Sequence, residues 1–218
     1  MFTSANPGAG KTFVSSNLAM SIAQTNKKVV LVDVDIRKGT LSGIFSNSSN
    51  RMGLTHYLSG STDKVDDIVG TSEEYEKLDV IFSGPVPPNP AELLLSERFD
   101  RLITELRKRY DYIIVDNVPA GIVADASIVN RVVDLTIFVV RSGVMDRRQL
   151  PELENMYRQE QLHNLSVILN GVPLEHRGYG YGYGNGYGYG YGYGYGNDTH
   201  KHTKMSHVRK ILFRFWKR

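Results

Sequence analysis

The sequence predicts an α/β fold, a mostly parallel sheet with helices on both faces. Three observations carry this reading. Five short apolar runs rich in β-branched residues recur at 29–32, 80–82, 112–115, 136–140 and 166–169, without the alternation of a half-exposed strand. Segments of helical periodicity lie between them, which makes βαβ units. A Gly-rich run, Ser4-Ala5-Asn6-Pro7-Gly8-Ala9-Gly10-Lys11-Thr12, passes straight into the first helical segment.

Only Met1, Phe2 and Thr3 precede that run, where a loop of this kind hangs from the end of a buried strand. The first strand is therefore a stub or the remainder of a longer one. Truncation is the expectation, because so short an interior strand would leave ladder groups of its neighbours unpaired. Residues 13–24 continue as a helix with Val14, Leu18 and Ile22 at helical spacing. The polar stretch 46–52 reads as a mobile loop and 84–90 as a Pro-rich turn. Pro90 then opens a helix with Ala91, Glu92 and Leu93 in its first turn. Residues 96–109 predict another helix, with Phe99, Leu102, Ile103 and Leu106 toward the core, and a last one falls near 147–161. Neither is given a catalytic role.

With 218 residues the chain suits one α/β domain at 1–173, a Tyr/Gly-rich segment at 174–198 and a basic segment at 199–218. It contains no cysteine, so no disulfide framework is available. No stretch approaches the roughly 20 apolar residues that span a bilayer. The overall charge of +3 is unevenly spread: residues 199–218 hold seven Lys or Arg and no acid, leaving 19 basic against 23 acidic residues in 1–198. A body of net negative charge argues against a nucleic-acid partner.

The Gly-rich run fits a phosphate-binding loop, G-x-x-x-x-G-K-S/T, with Ala5 in place of the first glycine. In the loop opened by Pro7, backbone N–H groups of Gly8, Ala9, Gly10, Lys11, Thr12 and Phe13 converge on anionic oxygens, Lys11 reaches the outer phosphates, and the Thr12 hydroxyl suits Mg2+. The alternative is a Gly-rich turn that merely caps a helix; the helix N-terminus that the loop feeds favours a P-loop NTPase-like nucleotide site. Asp33 and Asp35 follow the run 29–32, and Asp116 follows 112–115. Ligands of open parallel sheets sit beyond the carboxyl ends of the strands, so all three carboxylates are expected in one crevice with Lys11 and Thr12. A single Asp at a strand end is commonly a cap; three accompanying a phosphate loop point to metal binding and proton transfer.

These residues together resemble the cytoplasmic domain of bacterial tyrosine kinases, the BY-kinases that accompany capsule and exopolysaccharide export. TSANPGAGKT resembles the family's Walker A, VVLVDVDIRKG its Walker A′ and YIIVDNVPAG its Walker B; GPVPPNPAELL resembles its linker into the next helix. The resemblance spans roughly residues 2–173. It implies ATP and Mg2+ as cofactors, with Lys11 on the phosphates, Thr12 on the metal, Asp33 as base for a tyrosine hydroxyl, and Asp35 and Asp116 holding metal directly or through water. Asn170, in VILNGV, stands where related ATPases contact adenine; a loop-capping role is the equal alternative. Ala9 and Asn117-Val118 depart from the family's Glu and Thr-Pro. The resemblance also implies partners: other copies of the chain, and a membrane-spanning polysaccharide chain-length regulator, fused or separate, at the cytoplasmic side of the bacterial inner membrane.

From 178 to 196 tyrosine alternates with glycine. Glycine at every second position gives no face to pack, so disorder is expected. The segment reads either as a sticky linker or, as the resemblance implies, as a phosphoacceptor cluster of Tyr179, Tyr181, Tyr183, Tyr187, Tyr189, Tyr191, Tyr193 and Tyr195. Each phosphate would add roughly −1.5 to −2 charge, and several would reverse the local field and push subunits apart. Residues 208–218 combine Val208, Ile211, Leu212, Phe215 and Trp216 with Arg214, Lys217 and Arg218, a basic amphipathic pattern suited to an anionic membrane surface. His200, His202 and His207 read as solvated. Two other functions fit parts of the pattern: a partition or septum-positioning ATPase, whose extra loop lysine is replaced here by Asn6, and a catalytically silent self-association module.

Overall fold

The computed structural model describes residues 1–45, 52–120 and 125–173. The loop expected at 46–52 falls almost wholly outside the described residues, as do the Tyr/Gly-rich and basic segments with their eight candidate acceptor tyrosines. Within Met1–Pro173, seven strands form one sheet: β1 Phe2–Thr3, β2 Val29–Asp33, β3 Gly70–Thr71, β4 Leu78–Ile81, β5 Tyr112–Asp116, β6 Ile137–Arg141 and β7 Ser166–Asn170. Their spatial order is β3-β4-β2-β5-β1-β6-β7, and every pairing is parallel except β3 with β4.

The apolar composition of the central strands follows from that position. β2 is buried along its whole length. Val29 and Leu31 pack toward α1 (Lys11–Ala23), while Val30 and Val32 pack on the other face with α4 (Glu97–Arg109). A strand sandwiched in this way has no polar side, hence the unbroken apolar run. On α1 the fully buried residues are Ser15, Ser16, Ala19 and Ala23; Val14, Leu18 and Ile22 flank the contact instead of forming its centre. Small side chains let α1 lie close to the sheet, which hydrophobic spacing alone does not reveal.

Pro90 occupies the first turn of α3 (Pro90–Leu95), as its fixed φ favours. In α4, Phe99, Leu102, Ile103 and Leu106 are buried, with acids in the first turn and Arg107, Lys108 and Arg109 in the last, complementing the helix dipole. Three elements escape the periodicity reading because each is six residues or fewer: α2 (Leu54–Leu58), β3 and α5 (Asp125–Asn130). The last helix, α6 (Leu150–Arg158), buries no residue fully and rests on Leu153 and Met156.

β1 sits near the middle of the sheet with two residues only. Where β1 is present its neighbours are paired: Ile137 N–H donates to Met1 O at 2.8 Å, Asn117 N–H to Phe2 O at 3.2 Å, and the Met1 amine to Leu135 O at 2.8 Å. Below it, where β5 has no β1 residue opposite, lies an apolar cleft of about 530 Å³ lined by Leu18, Ile22, Ile103 and Ile137 among others. Truncating the buried Phe99 removes a ring that also carries the Arg131 guanidinium at 5.7 Å. Phe99→Ala is expected to destabilise the domain by about 3–5 kcal/mol, read from the urea midpoint.

Candidate nucleotide-binding site

The chain leaves β1 at Thr3 and turns through residues 4–10 into α1. Gly8 and Gly10 hold φ of +75° and +92°, a left-handed conformation that side chains resist, and Ala9 between them is buried. Gly10 is the N-cap of α1, no side chain caps that end, and no acid lies in the first turn. The helix therefore presents free N–H groups and the positive end of its dipole, a ready anion site. The loop is pinned from several sides: Ser4 Oγ donates to Asn6 O at 2.7 Å, Ala120 N–H to Ser4 O at 2.8 Å, and Asn6 Nδ2 to Gln149 Oε1 at 2.9 Å. Asn170 donates its amide to Ala9 O at 2.9 Å.

Lys11 folds back along the loop and donates to Ser4 Oγ at 3.2 Å. Burial lowers its pKa, opposed by the charges of Asp116 and Asp35. The Thr12 hydroxyl meets that of Thr40 at 3.1 Å. Asp33 and Asp116 are register partners at the ends of β2 and β5, so the backbone itself brings them side by side. Burial pushes the Asp116 carboxyl up to about 6 against the pull of the Thr12 hydroxyl, Lys11 and the Ser15 hydroxyl, and its Oδ1 has no hydrogen-bond partner among the described residues.

Asp33 is fully buried, and its carboxylate accepts three backbone N–H groups: Asp35 at 3.1 Å, Thr40 at 3.0 Å and Leu41 at 3.2 Å. Burial still outweighs those bonds and pushes its pKa up to about 7, with Asp116 and Asp35 adding to the rise. Asp33 thus shapes the loop after β2 as well as lying beside Asp116. Asp35 is half-buried, accepts from Lys38 N–H at 3.1 Å, and acts on the charges of Lys11, Asp33 and Asp116. Lys11, Thr12 and the three carboxylates accordingly lie in one cluster at the carboxyl ends of β2 and β5 and the start of α1, while the eight candidate acceptor tyrosines lie outside the described residues.

The sequence reading missed Asp125. Arg37, the arginine of the D-x-D-x-R run, meets it in a two-pronged ion pair, Nε–Oδ2 at 2.7 Å and Nη2–Oδ1 at 3.1 Å. The only local signal is that Arg37 is a cation beside a carboxylate cluster; its partner lies 88 residues away. Arg37 is 40% exposed and the Asp125 side chain 2%. Removing the buried partner leaves a wet cation, whereas removing Arg37 strands a buried anion. Asp125→Ala is therefore expected to cost about 1–2 kcal/mol and Arg37→Ala about 3–5, with equal losses contradicting the asymmetry in a denaturant titration.

Comparison with known proteins agrees with this geometry. The family model described as an AAA domain matches residues 2–143. The chain is 40% identical over 177 residues to the tyrosine-protein kinase CpsD of Streptococcus pneumoniae serotype 4, covering 81% of this chain and 77% of that protein. The solved kinase domain of the Escherichia coli tyrosine kinase Etk superposes with a TM-score of 0.73 at 37% identity, covering 85% of this chain and 71% of that one. The septum site-determining protein MinD of Pyrococcus horikoshii, solved with Mg-ADP, shares the fold at a TM-score of 0.62 and 22% identity, over 77% of this chain and 68% of its own. A P-loop run into an uncapped helix, three carboxylates at strand ends and this degree of identity place the chain in the bacterial tyrosine-protein kinase family.

Proposed function

We propose that the chain is an ATP-dependent protein-tyrosine autokinase serving capsule or exopolysaccharide export. The observation that carries the proposal is the convergence of Lys11, Thr12, Asp33, Asp35 and Asp116 at the uncapped end of α1. The free N–H groups of the loop and of the first turn of α1 bind the phosphates, and the Lys11 ammonium offsets charge on the outer ones. The donor set fits Mg2+: a hydroxyl at Thr12, a carboxylate at Asp35, and a buried Asp116 oxygen without a partner are hard ligands. Mg2+, when bound, neutralises charge on the transferring phosphoryl group. Asp33, with a carboxyl near neutrality, accepts the tyrosine hydroxyl proton as the new O–P bond forms and ADP leaves.

The acceptors are the tyrosines of 179–195 on other copies, and the basic segment 199–218 contacts anionic lipid. The activating partner is a membrane-spanning chain-length regulator at the inner face of the bacterial inner membrane. Among the described residues no helix is long and apolar enough to cross a membrane. A septum-positioning ATPase of the same fold is the second reading. Against it, Asn6, at the place of the extra lysine of that class, is tied to Gln149 and offers no cation.

Purified protein incubated with labelled ATP and Mg2+, followed by mass-spectrometric mapping, is expected to show phosphotyrosine within 179–195. Lys11→Ala abolishes it without a change in thermal melting, and Asp33→Asn lowers the rate by about 10²–10⁴-fold. Label released only as inorganic phosphate from the wild type would replace the kinase reading with the ATPase one.

A further inference from the structure

β6 and β7 end in register, Arg141 opposite Asn170, and both side chains reach onto the P-loop. Arg141 Nη1 donates to Gly8 O at 2.8 Å and Asn170 Nδ2 to Ala9 O at 2.9 Å. These are consecutive carbonyls. In a trans peptide the C=O and N–H of one plane point in opposite directions, and the described residues contain no cis bond. Drawing the Gly8 and Ala9 carbonyls toward the sheet edge therefore turns the Ala9 and Gly10 N–H groups away from it. Neither N–H donates to any backbone or side-chain acceptor among the described residues.

The surroundings are built for this contact. A Cβ on Gly10 would lie 2.3 Å from Asn170 Nδ2, so glycine is needed there for the amide's approach as well as for its φ. Gly171 turns at φ +67° directly over the Arg141 stem, and Ser142 N–H donates to Asn170 O at 2.9 Å, tying the two strand ends together.

We propose that Arg141 and Asn170 are positioning residues, a two-point clamp that holds the P-loop in its anion-receiving form before nucleotide arrives. The proposal rests on the nucleotide site inferred above. A loop with two left-handed glycines loses much entropy when it is ordered, and the clamp meets that loss in the free protein instead of at binding. The β6–β7 end of the sheet thereby sets affinity for polyphosphate without touching it. In this reading Asn170 does not discriminate between bases.

The test measures ADP, ATP and GTP binding by calorimetry for full-length wild type, Arg141→Ala, Asn170→Ala, Arg141→Lys and Asn170→Asp, with melting curves to verify folding. Each alanine variant is expected to bind about tenfold more weakly, by the same factor for ATP and GTP. Arg141→Lys recovers most of the loss, because an ammonium still donates to Gly8 O; Asn170→Asp does not, because a carboxylate only accepts. In phosphotransfer the alanine variants raise KM and leave kcat within about twofold. A loss at Asn170→Ala confined to ATP, or unchanged ADP affinity in both alanine variants, overturns the clamp. NMR of the nucleotide-free protein separates this from the functional proposal. Order parameters of the Ala9 and Gly10 amides should fall from about 0.85 to below 0.6 in Arg141→Ala, and no change overturns the clamp even if the wild type proves not to bind nucleotide.

Discussion

The N–H groups at the start of α1 have no acceptor within the helix, and no loop side chain supplies one. This unmet hydrogen-bonding capacity, with the dipole behind it, is the constraint on which the rest of the site depends. Around it the fold gathers charges that do not suit one another in the free protein. Lys11 is partly desolvated, Asp33 and Asp116 are buried side by side, and both carboxyls are driven toward neutrality. A polyphosphate carrying a divalent cation supplies both missing signs, an anion for the amides and Lys11 and a cation for the carboxylates. The site is a set of unsatisfied groups that one kind of ligand satisfies.

Phe2 and Thr3 of β1, wedged between β5 and β6, aim the loop, because backbone bonds from Ile137 and Asn117 fix the strand on both sides. The register of β2 against β5 then sets Asp33 beside Asp116 with no help from side chains. The far strands contribute through side chains instead: Gln149, just beyond β6, holds Asn6, and the last residues of β6 and β7 hold the loop carbonyls. The P-loop is thus the meeting point of both halves of the sheet.

Much of this was legible in the sequence, and the limits follow from range. The long apolar runs of β2, β5, β6 and β7, the Pro90 helix start and the four buried positions of α4 declare themselves within a dozen residues. So did the loop itself and the strand-end carboxylates. What stayed hidden needs partners distant in the chain. Asp125 looks like any helix-start aspartate until Arg37 is folded onto it. Asn170 and Arg141 read as strand-end residues until the loop lies above them. The contact face of α1 is not legible from hydrophobic spacing because close packing selects Ala and Ser, which carry little hydrophobic signal. Asp33 was read only as a functional acid, whereas its three amide bonds make it a builder of the loop as well.

The central claim is that recognition resides in the phosphates and not in the nucleoside. Equilibrium binding of ATP, ADP, AMP and adenosine to the nucleotide-free protein in the presence of Mg2+ tests it most directly. The account predicts that ATP and ADP bind at least about 100-fold more tightly than AMP or adenosine, since the amide cradle and Lys11 address the outer phosphates. Adenosine binding within a fewfold of ATP would contradict it.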